Sequence, residues 1–309
     1  MPISARKIAK DDAILTSTLS SGMLKPEQAS KFIQQTFDAT SLGSLVRHVT
    51  KKAKTGEIDK IGIANRIIRK KVENTDDGDR AKPITSQIEY SCKAVRLPWE
   101  ITEETLRENI EGQNLEKIIT DLMTTQLGID LIDLYLNGDE EVSSSQPDYD
   151  FLKIDTGWIK QIESGGHIVD NGNKALSLDM FYNLLRAVPN KYNNGKLCWI
   201  MSPHMKQNWE RSLYNATVSN GSTAPESMYK APAGIPIKTE AMFADDKIMI
   251  TDPKNLIVTN TYDVKIRKTT EGKEAIMQDK RFYVIHLDFD TLIEEIDATG
   301  LITNINANL

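Results

Sequence analysis

The stretch that most constrains this chain is Pro98 to Gly138, PWEITEETLRENIEGQNLEKIITDLMTTQLGIDLIDLYLNG. Its apolar residues fall at Leu106, Ile110, Leu115, Ile118, Ile119, Leu122, Met123, Leu127, Leu131, Leu134 and Tyr135. Spacings of mostly three and four line them along one face of an α-helix. Thr102 suits the N-cap, and Glu103 and Glu104 fall in the first turn, at the positive end of the helix dipole. Asn137-Gly138 predicts a left-handed stop. Unbroken, about 36 residues at about 1.5 Å each give a rod of roughly 54 Å. Gly112 and Gly128 are the places where such a rod can bend or divide. One reading is a core helix of a large enzyme; the flanking segments favour a structural protein with this helix as its spine.

The 309 residues can form two or three compact units. With 39% apolar and 27% charged residues, the chain is globular in composition. No window holds the roughly 18 uninterrupted apolar residues of a membrane span. The opening MPISARKIAKDDAIL lacks the apolar core of a secretory signal, so cytoplasmic synthesis and no membrane partner are expected. Cys92 and Cys198 are far apart, which speaks against a disulfide framework or a thiolate metal site. A net charge of −6 argues against a general nucleic-acid binder, but not against a protein that encloses nucleic acid. Charge is also unevenly placed. Arg47 to Lys93 holds 12 Lys/Arg against 7 Asp/Glu, whereas Glu100 to Asp133 holds 9 Asp/Glu against Arg107 and Lys117. Solvated faces explain this simply; one copy's basic arm lying on another copy's acidic spine explains it as well.

Residues 1–45 read as an arm, with a short helix opened by Pro26 that carries Ala29, Phe32, Ile33, Thr36 and Phe37. Extended chain follows in LVRHVT, IDKIGIANRIIRK and ITSQIEYSCKAVRLPWE, where Ile84, Ile88, Tyr90, Cys92 and Ala94 share one strand face. The polar stretch KKVENTDDGDRAKP between them predicts a projecting β-hairpin, marginal alone and resting on a neighbour. After the spine comes a loop to about Leu176 with a short helix near Trp158–Ile162. A Ser177-capped helix, a buried strand Lys196–Met201 and a helix opened by Ser202-Pro203 come next. Tyr214 to Pro232 reads as loop. Short strands are expected at Gly234–Lys238, Lys247–Thr251 and Leu256–Thr259, with Tyr262–Arg267 pairing with Arg281–Leu287.

Chemistry-bearing motifs are sparse. There is no Gly-rich phosphate loop, nucleophile elbow or His-Glu-x-x-His pair. His286, Asp288 and Asp290 would share one strand face and could hold a divalent metal; alternation on a half-exposed strand gives the same pattern. The four histidines stand alone, and the tryptophans are not interleaved with cations as a base-stacking platform requires.

The order of the pieces resembles the tailed-bacteriophage major capsid proteins of the Hong Kong 97 type. It is carried by the hairpin, the acidic spine ending in Tyr135-Leu-Asn-Gly138, the strand-to-helix junction in CWIMSPHMKQNWERSL, the strand Gly234-Ile-Pro-Ile237 and the closing RFYVIHLDFDTLIEEIDATGLI. The likeness covers roughly residues 45 to 305 and rests on order and spacing. It implies an α+β fold with an N-terminal arm (1–45), an extended hairpin loop (46–96), a peripheral domain with the spine helix (97–165 and 262–290) and an axial α/β domain (166–261 and 291–309). It further implies a non-enzymatic protein, without cofactor, whose hexamers and pentamers form the icosahedral virion head of a tailed phage. Portal and scaffolding proteins would be its partners, double-stranded DNA would be enclosed without sequence-specific binding, and assembly would occur in the host cytoplasm. The stretch before the hairpin is too short for a built-in scaffolding region, so scaffolding is expected to be separate or unnecessary. Expected contacts join Lys51, Lys52, Lys54, Arg69, Lys70 and Lys71 of one subunit to Glu103, Glu104, Glu108 or Glu111 of others. The rivals are an encapsulin-type compartment shell, which shares this fold, and a metal-dependent hydrolase using His286, Asp288 and Asp290.

Overall fold

The computed structural model describes residues 42–62, 82–108, 115–219, 231–261 and 265–306, with isolated positions between 68 and 80. Its elements are β1 (Arg47–Thr50), β2 (Thr55–Gly62), β3 (Ile84–Ser91), β4 (Lys93–Thr102), α1 (Glu103–Glu108), α2 (Leu115–Asn137), α3 (Tyr149–Leu152), α4 (Trp158–Gly165), β5 (His167–Lys174), α5 (Leu178–Ala187) and β6 (Cys198–Met201). They continue with α6 (Pro203–Ser219), β7 (Ile237–Thr239), β8 (Ile248–Thr251), β9 (Leu256–Asn260), β10 (Lys265–Thr269), α7 (Lys273–Gln278), β11 (Lys280–Ile293) and β12 (Gly300–Ile305). The arm helix, most of the hairpin tip and positions 220–230 lie outside the described residues.

The long strand β11 organises the first sheet. Its first ten residues pair antiparallel with β4, from Lys280↔Thr102 to Phe289↔Lys93. On its other edge lie β10 and then β9, and β1 adds parallel beyond β9. Alternation along β11 buries Tyr283, Ile285, Leu287 and Phe289 against the α2 residues Ile119, Leu127, Leu131 and Tyr135. Trp99 of β4 stacks on Tyr283 at 5.2 Å between ring centroids. Among the described residues this β2–β3-independent sheet and α2 share one core, while β2 and β3 pair only with each other.

The second sheet runs β5-β12-β8-β6-β7. Its central strands are apolar on both sides because both sides are covered. Ile200, Met249 and Leu301 face the α2 core, whereas Trp199, Met201, Ile248, Ile250 and Ile302 face a second core with Phe181, Met205 and Trp209. The run CWIM thus reads as a buried strand because it has no solvent face. Ser202 caps α6 as expected, its Oγ accepting the Met205 N–H at 3.1 Å.

Several local expectations are corrected. The helix does start after Thr102 as expected, with the Thr102 Oγ1 accepting the Thr105 N–H at 3.3 Å, while Pro98 to Thr102 complete β4. Gly138 is not left-handed. It is required for close approach, since a Cβ there would lie 2.4 Å from the Asp155 carbonyl oxygen. Ile118 and Leu122, expected on the buried stripe, are exposed on α2. Ser177 precedes α5 without a side-chain cap bond. Within the expected loops lie β5 and the last turns of α6.

The single strand expected over ITSQIEYSCKAVRLPWE is two. Thr55 pairs with Ser91 in the hairpin, and from Lys93 onward the partner is β11. The buried parity flips at the same point: Ile88 and Tyr90 turn inward in β3, whereas Val95, Leu97, Trp99 and Ile101 do so in β4 and Ala94 is exposed. At the other end of the expected hairpin segment, β1 pairs with β9 in the first sheet.

Candidate assembly surface

The β2–β3 hairpin has two unlike faces, set by strand alternation. Tyr90 is buried and Ile58, Lys60 and Ile88 are half-buried, so this face turns toward the body. Glu57, Asp59, Gln87 and Glu89 are exposed on the other. Further out, Ile61 is 73% and Ile84 53% exposed. Strand alternation puts Ile61 on the face of Glu57 and Asp59 and Ile84 on the face of Ile58 and Ile88.

Carboxylates from β11 clamp the hairpin root. Asp290 Oδ2 accepts the Ser91 N–H at 2.6 Å. Asp288 Oδ2 accepts the Thr261 hydroxyl at 2.9 Å and pairs with Lys54 Nζ at 3.3 Å. Asp155, only 3% exposed, accepts both the N–H and the hydroxyl of Thr291 at 3.2 Å. Burial and the neighbouring Asp290 push the Asp155 carboxyl up to about 7, and burial also raises Asp290. Between them, the Cys92 N–H donates to the Lys54 carbonyl at 2.7 Å. Burial, with help from Asp290, lifts the Cys92 thiol to about 11. Farther along, Lys60 pairs with Glu295, and Arg47 Nη1 meets Glu294 at 3.0 Å.

These bonds answer the metal reading. Asp288 and Asp290 are buried and committed to the hairpin root, whereas His286 is exposed on β11. Among the described residues no group of three or more His, Cys, Asp or Glu converges as a metal site.

Of the expected interface residues, Lys51 sends its Nζ to the Glu57 carbonyl at 3.4 Å, and Lys52 and Lys70 are exposed. Lys54 is held by Asp288 of its own chain. Arg69, Lys71 and Glu111, and the side chain of Glu108, lie outside the described residues. Glu104 is exposed on α1. Glu103, by contrast, pairs with Arg281, whose Nη2 donates at 2.9 Å. Arg281 and Lys268 also neutralise Glu116, which accepts the Tyr283 hydroxyl at 2.6 Å and is 5% exposed. Lys280 meets Glu100 at 2.9 Å. Three of the nine acids between Glu100 and Asp133, namely Glu100, Glu103 and Glu116, are therefore balanced by β10 and β11 of the same chain. Sequence reading missed Glu116, Lys268 and Arg281 as a unit because more than 150 positions separate the acid from its partners.

No protein-family model matches the chain. Over 317 residues it is 28% identical to the putative prophage capsid protein YqbE of Bacillus subtilis strain 168, covering 96% of this chain and 97% of the relative. It superposes on the satellite phage P4 procapsid, solved with its size determination (Sid) protein, with a TM-score of 0.66 and 16% identity over 94% of each chain. The SrpI encapsulin of Synechococcus elongatus PCC 7942 gives a TM-score of 0.57 and 13% identity over 87% of this chain and 88% of the other. The two cores, the clamped hairpin and the long helix thus form the α+β Hong Kong 97-type capsid fold, a fold of shell-building proteins. Within that class the relative that matches this chain over nearly its full length is a putative prophage capsid protein. No helix among the described residues is long and apolar enough to cross a membrane.

Proposed function

We propose that copies of this chain form hexamers and pentamers through the unit containing the second sheet (166–261 and 291–309) and tile an icosahedral head. The remaining body (97–165 and 262–290) and the hairpin loop (46–96) make the contacts between neighbouring subunits, and the arm (1–45) reaches across another. The head encloses double-stranded DNA of a tailed phage without reading its sequence, and works by assembly rather than catalysis. A portal at one vertex and a scaffolding protein are its partners in the host cytoplasm. Lys51, Lys52 and the tip residues Arg69, Lys70 and Lys71 meet Glu104, Glu108 or Glu111 of neighbouring copies. Lys54 and Glu103 take part only by exchanging their present partners. Exposed pairs contribute only ~0–1 kcal/mol each, so the shell is held by their number.

The observation that carries this reading is the hairpin itself: clamped at its root, with Ile61 and Ile84 left in water beyond it. Overexpression followed by sedimentation and negative-stain microscopy tests it. Closed particles are expected; a monodisperse monomer at high concentration refutes it. The encapsulin likeness supports a second reading, a compartment loaded with protein. Particles purified from the native host separate the two, since one carries DNA and the other a protein cargo.

A further inference from the structure

One row of α2 positions, separated by one or two helical turns, runs Ile118, Leu122, Ile129, Asp133 and Asn137. Ile118 is 39% and Leu122 63% exposed. Thr125 beside them is exposed and Ile129 half-buried. A lone exposed leucine is ordinary. Two large apolar side chains one turn apart are neighbours on the helix surface. The opposite face of α2 already fills the main core, so they form a second, uncovered stripe.

The row ends where the first described residues are anchored. Asn137 Nδ2 donates to Asp133 Oδ1 at 2.7 Å and to the Met242 carbonyl at 2.8 Å. Glu240, two residues before Met242 and buried, accepts the Leu42 N–H at 3.0 Å. Leu42 itself is buried in the core that α2 shares with the first sheet. The chain thus joins the body next to the C-terminal end of this row.

The segment just before Leu42 carries a matching sequence pattern. In PEQASKFIQQTF (26–37), Ala29, Phe32, Ile33, Thr36 and Phe37 recur at helical spacing, and Pro26 suits a first turn. Such a stripe builds no core alone. The lengths agree as well. Phe37 stands five positions before Leu42, a reach of up to roughly 17 Å. From Asn137, Thr125 is about 18 Å back along the helix axis, Leu122 about 22 Å and Ile118 about 28 Å. In a helix, Ile33 lies about 6 Å and Ala29 about 12 Å beyond Phe37. Those positions fall level with Leu122 and Ile118.

We infer that segment 26–37 lies as a helix along α2 of its own chain and parallel to it, with Phe37, Ile33 and Ala29 over Thr125, Leu122 and Ile118. Residues before Pro26 are then the part of the arm left to cross to a neighbouring copy. The contact forms within one chain and does not depend on shell formation. Particle formation is scored separately, so its failure and the failure of this contact are distinguishable.

The test uses full-length protein with paired cysteines. Ile33→Cys with Leu122→Cys in one chain, treated with a short bis-maleimide, is expected to give an internally bridged monomer, identified by its linked tryptic peptides. Ile33→Cys with Tyr214→Cys, an exposed position on α6, is expected to link at least tenfold less. Native Cys92 and Cys198 are buried, which keeps background labelling low. Equal linking of the two pairs overturns the inference. Covalent dimers in place of bridged monomers overturn it likewise, because the occupant is then a second copy's arm. A second readout needs no cysteine: Leu122→Asp, with its fold checked by circular dichroism, is expected to speed tryptic cleavage after Lys31 at least tenfold. Tyr214→Asp is expected to leave that rate unchanged. A cleavage rate unaltered by Leu122→Asp shows that α2 does not hold the segment, and the inference falls.

Discussion

Asp290 in β11 accepts the backbone N–H of Ser91, the last residue of the hairpin, at 2.6 Å. One carboxylate therefore decides where the hairpin leaves the body. Replacing Asp290 with Ala removes this bond to a carboxylate, at a cost on the order of 1–3 kcal/mol. Limited proteolysis is expected to cut the variant between Thr55 and Ser91 faster than the parent. Equal cleavage rates would show that the clamp does not govern hairpin order.

Asp155 provides a pH signature. Its carboxyl is raised to about 7 in the fold by burial and Asp290, against about 3.9 in the unfolded chain. The folded state therefore holds the proton more tightly. Stability from this group is full below the unfolded value and is lost as pH rises toward 7. The thermal midpoint of unassembled protein is expected to fall between pH 5 and pH 8. Asp155→Asn keeps an acceptor for Thr291 and should flatten that slope, while raising stability at pH 8 by on the order of 1–3 kcal/mol. A slope unchanged by the substitution assigns the effect elsewhere.

Glu116 is the spine's buried anchor, holding Lys268, Arg281 and the Tyr283 hydroxyl. Removing one member of such a group leaves charges uncompensated, so Glu116→Ala is expected to cost about 3–5 kcal/mol in denaturant unfolding. Glu104→Ala, on an exposed neighbour, is expected to stay within about 0.5 kcal/mol. Similar losses at both sites would contradict the burial difference.

Gly138 and Gly62 form a matched pair. A Cβ at Gly138 meets the backbone oxygens of Asp155 at 2.4 Å and Leu134 at 2.7 Å, whereas one at Gly62 meets nothing within 4 Å. Gly138→Ala is expected to cost more than about 3 kcal/mol, because backbone must shift. Gly62→Ala is expected to change stability by less than about 0.5 kcal/mol. Chemical denaturation of the two variants side by side decides it.

Much of the architecture could be read locally. The run Cys198–Met201 betrays a two-sided strand, and Ser202-Pro203 the helix that follows it, because both signals lie within a few residues. The division at Cys92 was also written in the chain. Apolar positions are even-numbered through Ile88 and Tyr90, then odd-numbered from Val95 to Ile101, and such a phase slip signals a change of strand partner. What could not be read is long-range compensation. The surplus of acid in the spine and of base in the hairpin segment suggested attraction between copies, whereas Arg281, Lys268, Asp288 and Glu295 neutralise part of each at home. Charge counting along a sequence cannot see which side chains meet after folding. Nor did strand propensity reveal β5, whose polar half, Asp170 to Lys174, reads as a turn although its first residues pair with β12.

The 14 residues of β11 form one unbroken strand. Asp290 near its end grips the hairpin, its first half lines the long helix, and the short link 294–299 delivers the chain to β12 inside the second sheet. The root of the outlying appendage and the inner sheet are thus joined by one continuous strand and a short link, the most direct backbone path along which a load on one would reach the other.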